Sequence, residues 1–193
     1  MTPQNKQLPI KRFKDQNDWA SWLDKHHADS MGVWLKIAKK NSRLKSVSYD
    51  EALETALCYG WIDGQKQADD ESFWLQKFTP RGAKSAWSKI NRTKVEQLIE
   101  RGLVKPAGLQ VVASAKQDGR WDGAYDSARR ASVPKDFQLA LNRNAQAKAF
   151  FETLKGANRY AILYRIQTAK KAETRAKRIQ QFIEMLEKNK TIY

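Results

Sequence analysis

The sequence predicts an α+β fold, with a small antiparallel sheet and helices in the N-terminal half and an all-helical C-terminal half. Three observations lead there. Residues 33–38 alternate apolar and polar side chains, and residues 61–79 read as a hairpin, both patterns of half-buried strands. Apolar residues recur at helical spacing before and between those strands. From residue 88 onward only helical patterns remain. This predicts an α+β domain over 9–102, a helix and connector over 103–132, and a helical domain over 133–193.

The elements follow in order. "LPIKRF" reads as a strand ending near Phe13, after a polar opening stretch. "DQNDWASWLDKHHA" places Trp19, Trp22 and Leu23 on one helical face. "GVWLKIAKK" sets Val33, Leu35 and Ile37 against Trp34, Lys36 and Ala38. "SYDEALETALCYG" opens with Ser48 three residues before Glu51, a capping box, and closes at Gly60.

"WIDGQKQ" and "SFWLQKFT" flank the polar "ADDE", which predicts a hairpin turning at Asp69 and Asp70. That register pairs Trp61 with Phe78, Asp63 with Gln76 and Gln65 with Trp74, all on one aromatic and polar face. Ile62, Phe73 and Leu75 fall on the other, core-like face. An odd-length turn would shift the pairing. "TPRGAKSAW" is a basic loop broken by Pro80 and Gly82.

Helices then follow over "SKINRTKVEQLIERG", stopping at Gly102, and over "KPAGLQVVASAKQDG", from Pro106 to Gly119. "RWDGAYDSARRASV" is a connector anchored by Trp121 and Tyr125. Ser132 and Pro134 start the next helix. Asn144 caps another, for which Gly156 is the stop signal. Two amphipathic helices close the chain. The last aligns Ala172, Ala176, Ile179, Ile183 and Leu186 on one side, with Lys171, Arg175 and Arg178 along another.

Charge is the strongest global signal. The chain of 193 residues carries a net charge of +15. Residues 1–100 hold 17 Lys and Arg against 13 Asp and Glu, and residues 101–193 hold 19 against 8. The positive excess therefore sits in the second half, and such surfaces attract nucleic acid, anionic headgroups or acidic proteins. No apolar run approaches the length of a membrane span, so no integral membrane association is expected. No apolar leader opens the chain, which gives a cytoplasmic expectation. The single cysteine, Cys58, has no partner for an internal disulfide.

Several chemistries lack their residues. Neither phosphate-cradling glycine motif occurs, so no cofactor is expected. One cysteine and the adjacent His26 and His27 do not make a zinc site, so no metal is expected. Cys58 lies on the apolar side of its helix and reads as a core thiol. Two features remain as candidates. The first is the hairpin and its loop, with Trp61, Asp63, Gln65, Arg81, Lys84, Trp87 and Asn91. There Asp63 is a weak acid–base candidate beside Arg81, the alternative being a structural salt bridge. The tryptophans would either stack on bases or sugars or anchor a core. The second is residues 158–178, where seven cations stand against Glu173 alone. Arg159, Arg165, Arg175 and Arg178 are among them, with Tyr160 and Tyr164 between. Consecutive basic helices can track a phosphate backbone, or be a solvated charged face.

"SYDEALETALCYGWIDGQ", "FTPRGAKSAWSKIN", "VEQLIERGLVKPAGL", "AKQDGRWDGAY" and "ANRYAILYRIQTAKKAETRAKRIQQFIEML" closely resemble the YdeI/OmpD-associated family of bacterial proteins, which carry the label bacteriocin-protection protein. The resemblance runs from about Gly32 to Tyr193. It implies a role in tolerating antimicrobial peptides or envelope stress, and it likens the N-terminal half to the YjbR/CyaY fold. It carries no established catalytic set. Its matching positions are Trp61, Asp63, Gly64 and Gln65, then Pro80, Arg81, Ser85, Trp87, Ser88 and Asn91. Asn158, Arg159, Tyr160, Arg165, Arg175 and Arg178 complete them.

Three functions follow. The first is a non-catalytic module binding nucleic acid or another polyanion. The second is an enzyme or small-anion binder with a pocket between the hairpin 61–79 and the helical half. The third is a factor meeting an acidic protein partner. No complete catalytic constellation can be assembled, so binding is favoured over catalysis.

Overall fold

The computed structural model of the chain describes residues 8–193, so the polar opening stretch lies outside it. It divides into two compact units. Unit 1 runs up to Ser85 and includes Thr93–Asp118, while unit 2 is Ala86–Arg92 with Gly119–Tyr193.

Unit 1 holds a four-stranded sheet in the order β1-β2-β4-β3. The strands are β1 (Ile10–Lys11), β2 (Val33–Ala38), β3 (Trp61–Ala68) and β4 (Phe73–Pro80). The sheet is mixed, not wholly antiparallel, because the two-residue β1 runs parallel to β2. The β2 side chains alternate as expected, with Val33, Leu35 and Ile37 buried. Helices α1 (Gln16–His26) and α2 (Tyr49–Cys58) supply the rest of this core. Asp15 caps α1 by accepting from Asp18 N, and Ser48 with Glu51 completes the capping box of α2. Trp19 joins the two helices by donating from Nε1 to the Ala52 carbonyl at 3.1 Å.

The hairpin departs from its expected register. Trp61 pairs with Pro80 and Asp63 with Phe78, whereas Lys66 pairs with Gln76 and Ala68 with Trp74. The turn is centred on Glu71 rather than between Asp69 and Asp70, which displaces the pairs nearest it by three residues, and a bulge between Asp63 and Lys66 takes back one, leaving Trp61 and Asp63 displaced by two. The buried Gln76 amide stitches the bulge, donating to the carbonyls of Gly64 (3.0 Å) and Gln65 (3.2 Å).

Helices α3 (Lys89–Glu100) and α4 (Pro106–Gln117) follow. Two glycines let α4 sit against the end of α2. Gly60 takes a left-handed φ of +73°, and a Cβ on Gly108 would lie 2.3 Å from the Cys58 carbonyl oxygen. No residue larger than glycine fits at 108 without moving backbone.

Unit 2 contains α5 (Lys135–Asn142), α6 (Ala145–Thr153), α7 (Gly156–Gln167) and α8 (Ala172–Glu187). Phe137, Leu141, Phe151, Ile162, Ile166 and Leu186 lead its separate core. Asn144 caps α6 as expected. Gly156 does not stop that helix. The chain leaves it at Leu154, and Gly156 opens α7 with φ +56°. Trp121 anchors the connector by meeting Trp87 edge-on, with centroids 4.9 Å apart. Tyr125 bridges to Ser88.

Candidate functional site

The Trp61–Phe78 end of the hairpin's aromatic face is core, while Trp74 at its other end stays half-buried. Trp61 is 1 % exposed, and its indole N–H donates to the His27 carbonyl at 3.1 Å. Its ring meets Trp19 and Trp22 edge-on, and Phe78 also packs on Trp19. The Trp61 and Phe78 end of the expected recognition face therefore lies beneath α1, which covers it because its own Trp19 and Leu23 need a partner surface. Trp87 is buried as well. These two indoles serve packing and offer no exposed stacking surface.

The polar candidates of unit 1 separate. Asp63 accepts a 2.8 Å hydrogen bond from the Tyr49 hydroxyl. Arg81 is buried, and its backbone N–H donates to the Gly60 carbonyl. Gln65 and Lys84 face solvent. In unit 2, the half-buried Asn91 donates its backbone N–H to the Ser88 hydroxyl at the start of α3.

The basic helices are organised differently from a phosphate-tracking stripe. The final turn of α7 leaves carbonyl oxygens without helical donors, and arginines of α8 supply them. Arg175 donates from Nη1 to the Ile166 carbonyl at 2.8 Å, and Arg178 from Nη1 to the Arg165 carbonyl. The same Arg175 forks onto Asp136 at 2.6 and 2.9 Å, which raises its own pKa and holds the Asp136 carboxyl below its ordinary value. Arg159 sits 4.4 Å from the Phe151 ring centroid and reaches the Phe151 carbonyl. Asn158 clamps both backbone groups of Tyr193. Tyr160 donates to the Asp126 carbonyl at 2.9 Å, and burial pushes its hydroxyl up to about 12. Asp126 itself is held low, first by Lys89 at 2.9 Å and then by Gln167. Arg165 is half-buried and acts here through its carbonyl.

Another cationic cluster lies in unit 1, in the segment "KKNSRLK" between β2 and α2. Lys39, Lys40, Asn41, Ser42, Arg43 and Leu44 line an open groove of ≈ 650 Å³ with Glu71 and Ser72 of the β3–β4 turn. Lys39 donates to the Asp70 carbonyl at 2.7 Å. Lys40, Arg43 and Lys45 are exposed and make no ion pair among the described residues. The sequence reading passed over this segment because it sits between two regular elements. Its signal was four cations in seven residues. Among the described residues no group of three or more His, Cys, Asp or Glu is placed to hold a metal ion. Burial pushes the Cys58 thiol up to about 11, as suits a core sulfur rather than a nucleophile. No described helix is long and apolar enough to cross a membrane.

A mixed-sheet unit and a four-helix C-terminal unit with its own core define a two-part α+β protein. Residues 130–189 match the family described as Bacteriocin-protection, YdeI or OmpD-Associated. Residues 11–111, just over half of the chain, match the model described as Domain of unknown function (DUF8412). The chain therefore belongs to the family of that domain of unknown function, and it carries a bacteriocin-protection, YdeI or OmpD-associated domain over residues 130–189. No curated protein and no solved structure matches it.

Proposed function

We propose that the protein is a non-catalytic, cytoplasmic polyanion-binding member of its family, and that it grips phosphate-bearing chains such as nucleic acid at the groove lined by residues 39–44. The observation that carries this reading is the set of unpaired cations there. Among the described residues Lys40, Arg43 and Lys45 have no carboxylate partner, while Ser42, Ser72 and Asn41 place neutral donors beside them. Such a site neutralises successive phosphates and releases their counterions, without reading bases. The net charge of +15 adds long-range attraction. Arginines 175 and 178 are committed to helix ends, so the lysines and Arg43 are the better ligands. Asp63 is engaged with Tyr49, which supports binding over acid–base chemistry.

The test is a titration of labelled single-stranded DNA, duplex DNA and RNA with the full chain, at low and moderate salt, read by anisotropy. Binding should fall steeply with salt. Lys40→Glu with Arg43→Glu should weaken it at least ~10-fold and reduce the log–log salt slope by about two, one for each lost phosphate contact. A flat response with all three at low salt overturns the reading. Binding of polyglutamate in place of nucleic acid, with the same salt dependence, would instead favour an acidic protein partner.

A further inference from the structure

The last helix keeps part of its apolar stripe out of the core. Phe182 and Leu186 are buried, but Ala172 and Ala176 are exposed and Ile179 and Ile183 only half-covered. Together with Ala140 of α5 these four line an open groove of ≈ 630 Å³. Leu139, next along α5, is 59 % exposed. The spacing 172, 176, 179, 183 is four, three, four, the step of a coiled-coil seam. Such a seam normally faces another helix.

We infer that a second copy of this chain covers the groove, with α8 packed antiparallel against its symmetry mate about a two-fold axis near residues 177 and 178. Two complementarities select this occupant and orientation. In an antiparallel pair Ala172 meets Ile183 of the second copy and Ala176 meets Ile179, so every layer sets a small side chain against a large one. A parallel pair would stack alanine on alanine and leave gaps. Charge agrees. Within α8 itself, the first half carries Arg175, Lys177 and Arg178 against Glu173, while the second half carries Glu184 and Glu187 and no cation before the Lys188 cap. An antiparallel pair lays each half along its opposite, and a closed two-fold contact uses one patch twice. The 16-residue helix is about 24 Å long. That face, widened by α5, is at the small end of specific interfaces, so the dimer is reversible and concentration-dependent.

Sedimentation velocity on the full chain from about 1 to 500 μM, a span bracketing small-interface affinities, should show a shift from monomer to dimer. Ala176→Glu, at an exposed position that leaves the core intact, should abolish the dimer while preserving the melting temperature. A cysteine pair gives an independent readout of orientation. Mixed Ala172→Cys and Ile183→Cys proteins should form the crossed disulfide far faster than either forms its own. A monomer throughout the range, or a dimer indifferent to Ala176→Glu, overturns the inference. Preferential formation of the same-site disulfides refutes the antiparallel arrangement. None of these results bears on polyanion binding, which weakens with salt and depends on Lys40 and Arg43.

Discussion

Arg175 and Asp136 form a two-pronged ion pair across 39 residues of sequence, with both prongs under 3 Å. The same guanidinium also closes the end of α7 at the Ile166 carbonyl. One side chain thus joins α5, α7 and α8. Arg175→Ala should lower the stability of the helical unit by about 1–3 kcal/mol, through the lost bonds and the carboxylate left behind. Arg175→Lys should recover only part of it, because an ammonium cannot fork. Thermal or urea unfolding checks the order wild type, lysine, alanine. Nucleic-acid affinity of the folded variants should stay within about twofold, small against the tenfold steps expected at the groove.

The same pair sets an acid limit. Asp136 has its pKa depressed by Arg175, so its stabilising contribution is complete above the unfolded carboxylate value near ~3.9. It is lost as pH falls from there through the lower folded value. Asp126, depressed by Lys89, adds in the same direction. In urea melts between roughly pH 5 and 2, Asp136→Asn should start less stable and show a shallower decline than wild type. Parallel curves for the two proteins would reject this account.

Cys58 should ignore thiol reagents in the folded protein. Its sulfur is buried and its pKa is raised by that burial, so little thiolate exists at neutral pH. Labelling with an aromatic disulfide should be slow in buffer and stoichiometric in denaturant. Fast labelling of the native chain would mean that the α2 end opens readily.

Gly108→Ala tests the tightest approach in unit 1. The added Cβ would meet the Cys58 carbonyl oxygen at 2.3 Å, and the blocking atom is backbone. Relief requires α4 to shift from α2, at a cost of about 2–4 kcal/mol. Circular dichroism should show retained helix with a lower unfolding midpoint. An unchanged midpoint would show that α4 moves freely.

Local signals in the sequence were enough for the elements whose ends are set locally. The Ser48–Glu51 box, the Asn144 cap and Pro106 at the start of α4 each act within one turn, and each stands where expected. The hairpin register depended on where the polar run turns, at Glu71 rather than Asp69 and Asp70, and on an extra residue at the bulge, neither of which period-two counting can see. Gly156 carries the left-handed backbone of a stop signal but uses it to enter a helix. The candidate site residues were legible by type but not by what they touch. A row of arginines looks the same in sequence whether it meets phosphates or carbonyl oxygens, and the partners of Arg175 and Arg178 become neighbours only once α5, α7 and α8 have packed. Similarly, Trp61 and Trp87 could be placed as surface or core only after their surroundings had formed. The segment around Lys40 and Arg43 was legible as charge, and its lack of carboxylate partners emerged from the tertiary structure.

The two walls of the 39–44 groove differ in stiffness. Lys36 clasps Asp69 at 2.8 Å and Asp70 at 3.2 Å, while Asp70 accepts from the backbone of Ser72 and Phe73, so the turn carrying Glu71 and Ser72 is pinned before anything binds. The facing wall is tied to that turn at Lys39, whose backbone N–H donates to the Ser72 carbonyl and whose Nζ donates to the Asp70 carbonyl. Beyond it, residues 40–44 are held only by Ser42 N–H to the Lys39 carbonyl and Leu44 N–H to the Ser42 hydroxyl among the described residues. Ordering cost on binding therefore falls on one loop only, at about 1–2 kcal/mol for each residue that must be fixed. A polyanion bound as proposed would have a fixed edge to align against in the firm wall, and the soft one would let chains of different backbone spacing fit. Hydrogen exchange should register that asymmetry, with protection on binding gained at Lys40–Lys45 and little changed at Glu71–Phe73.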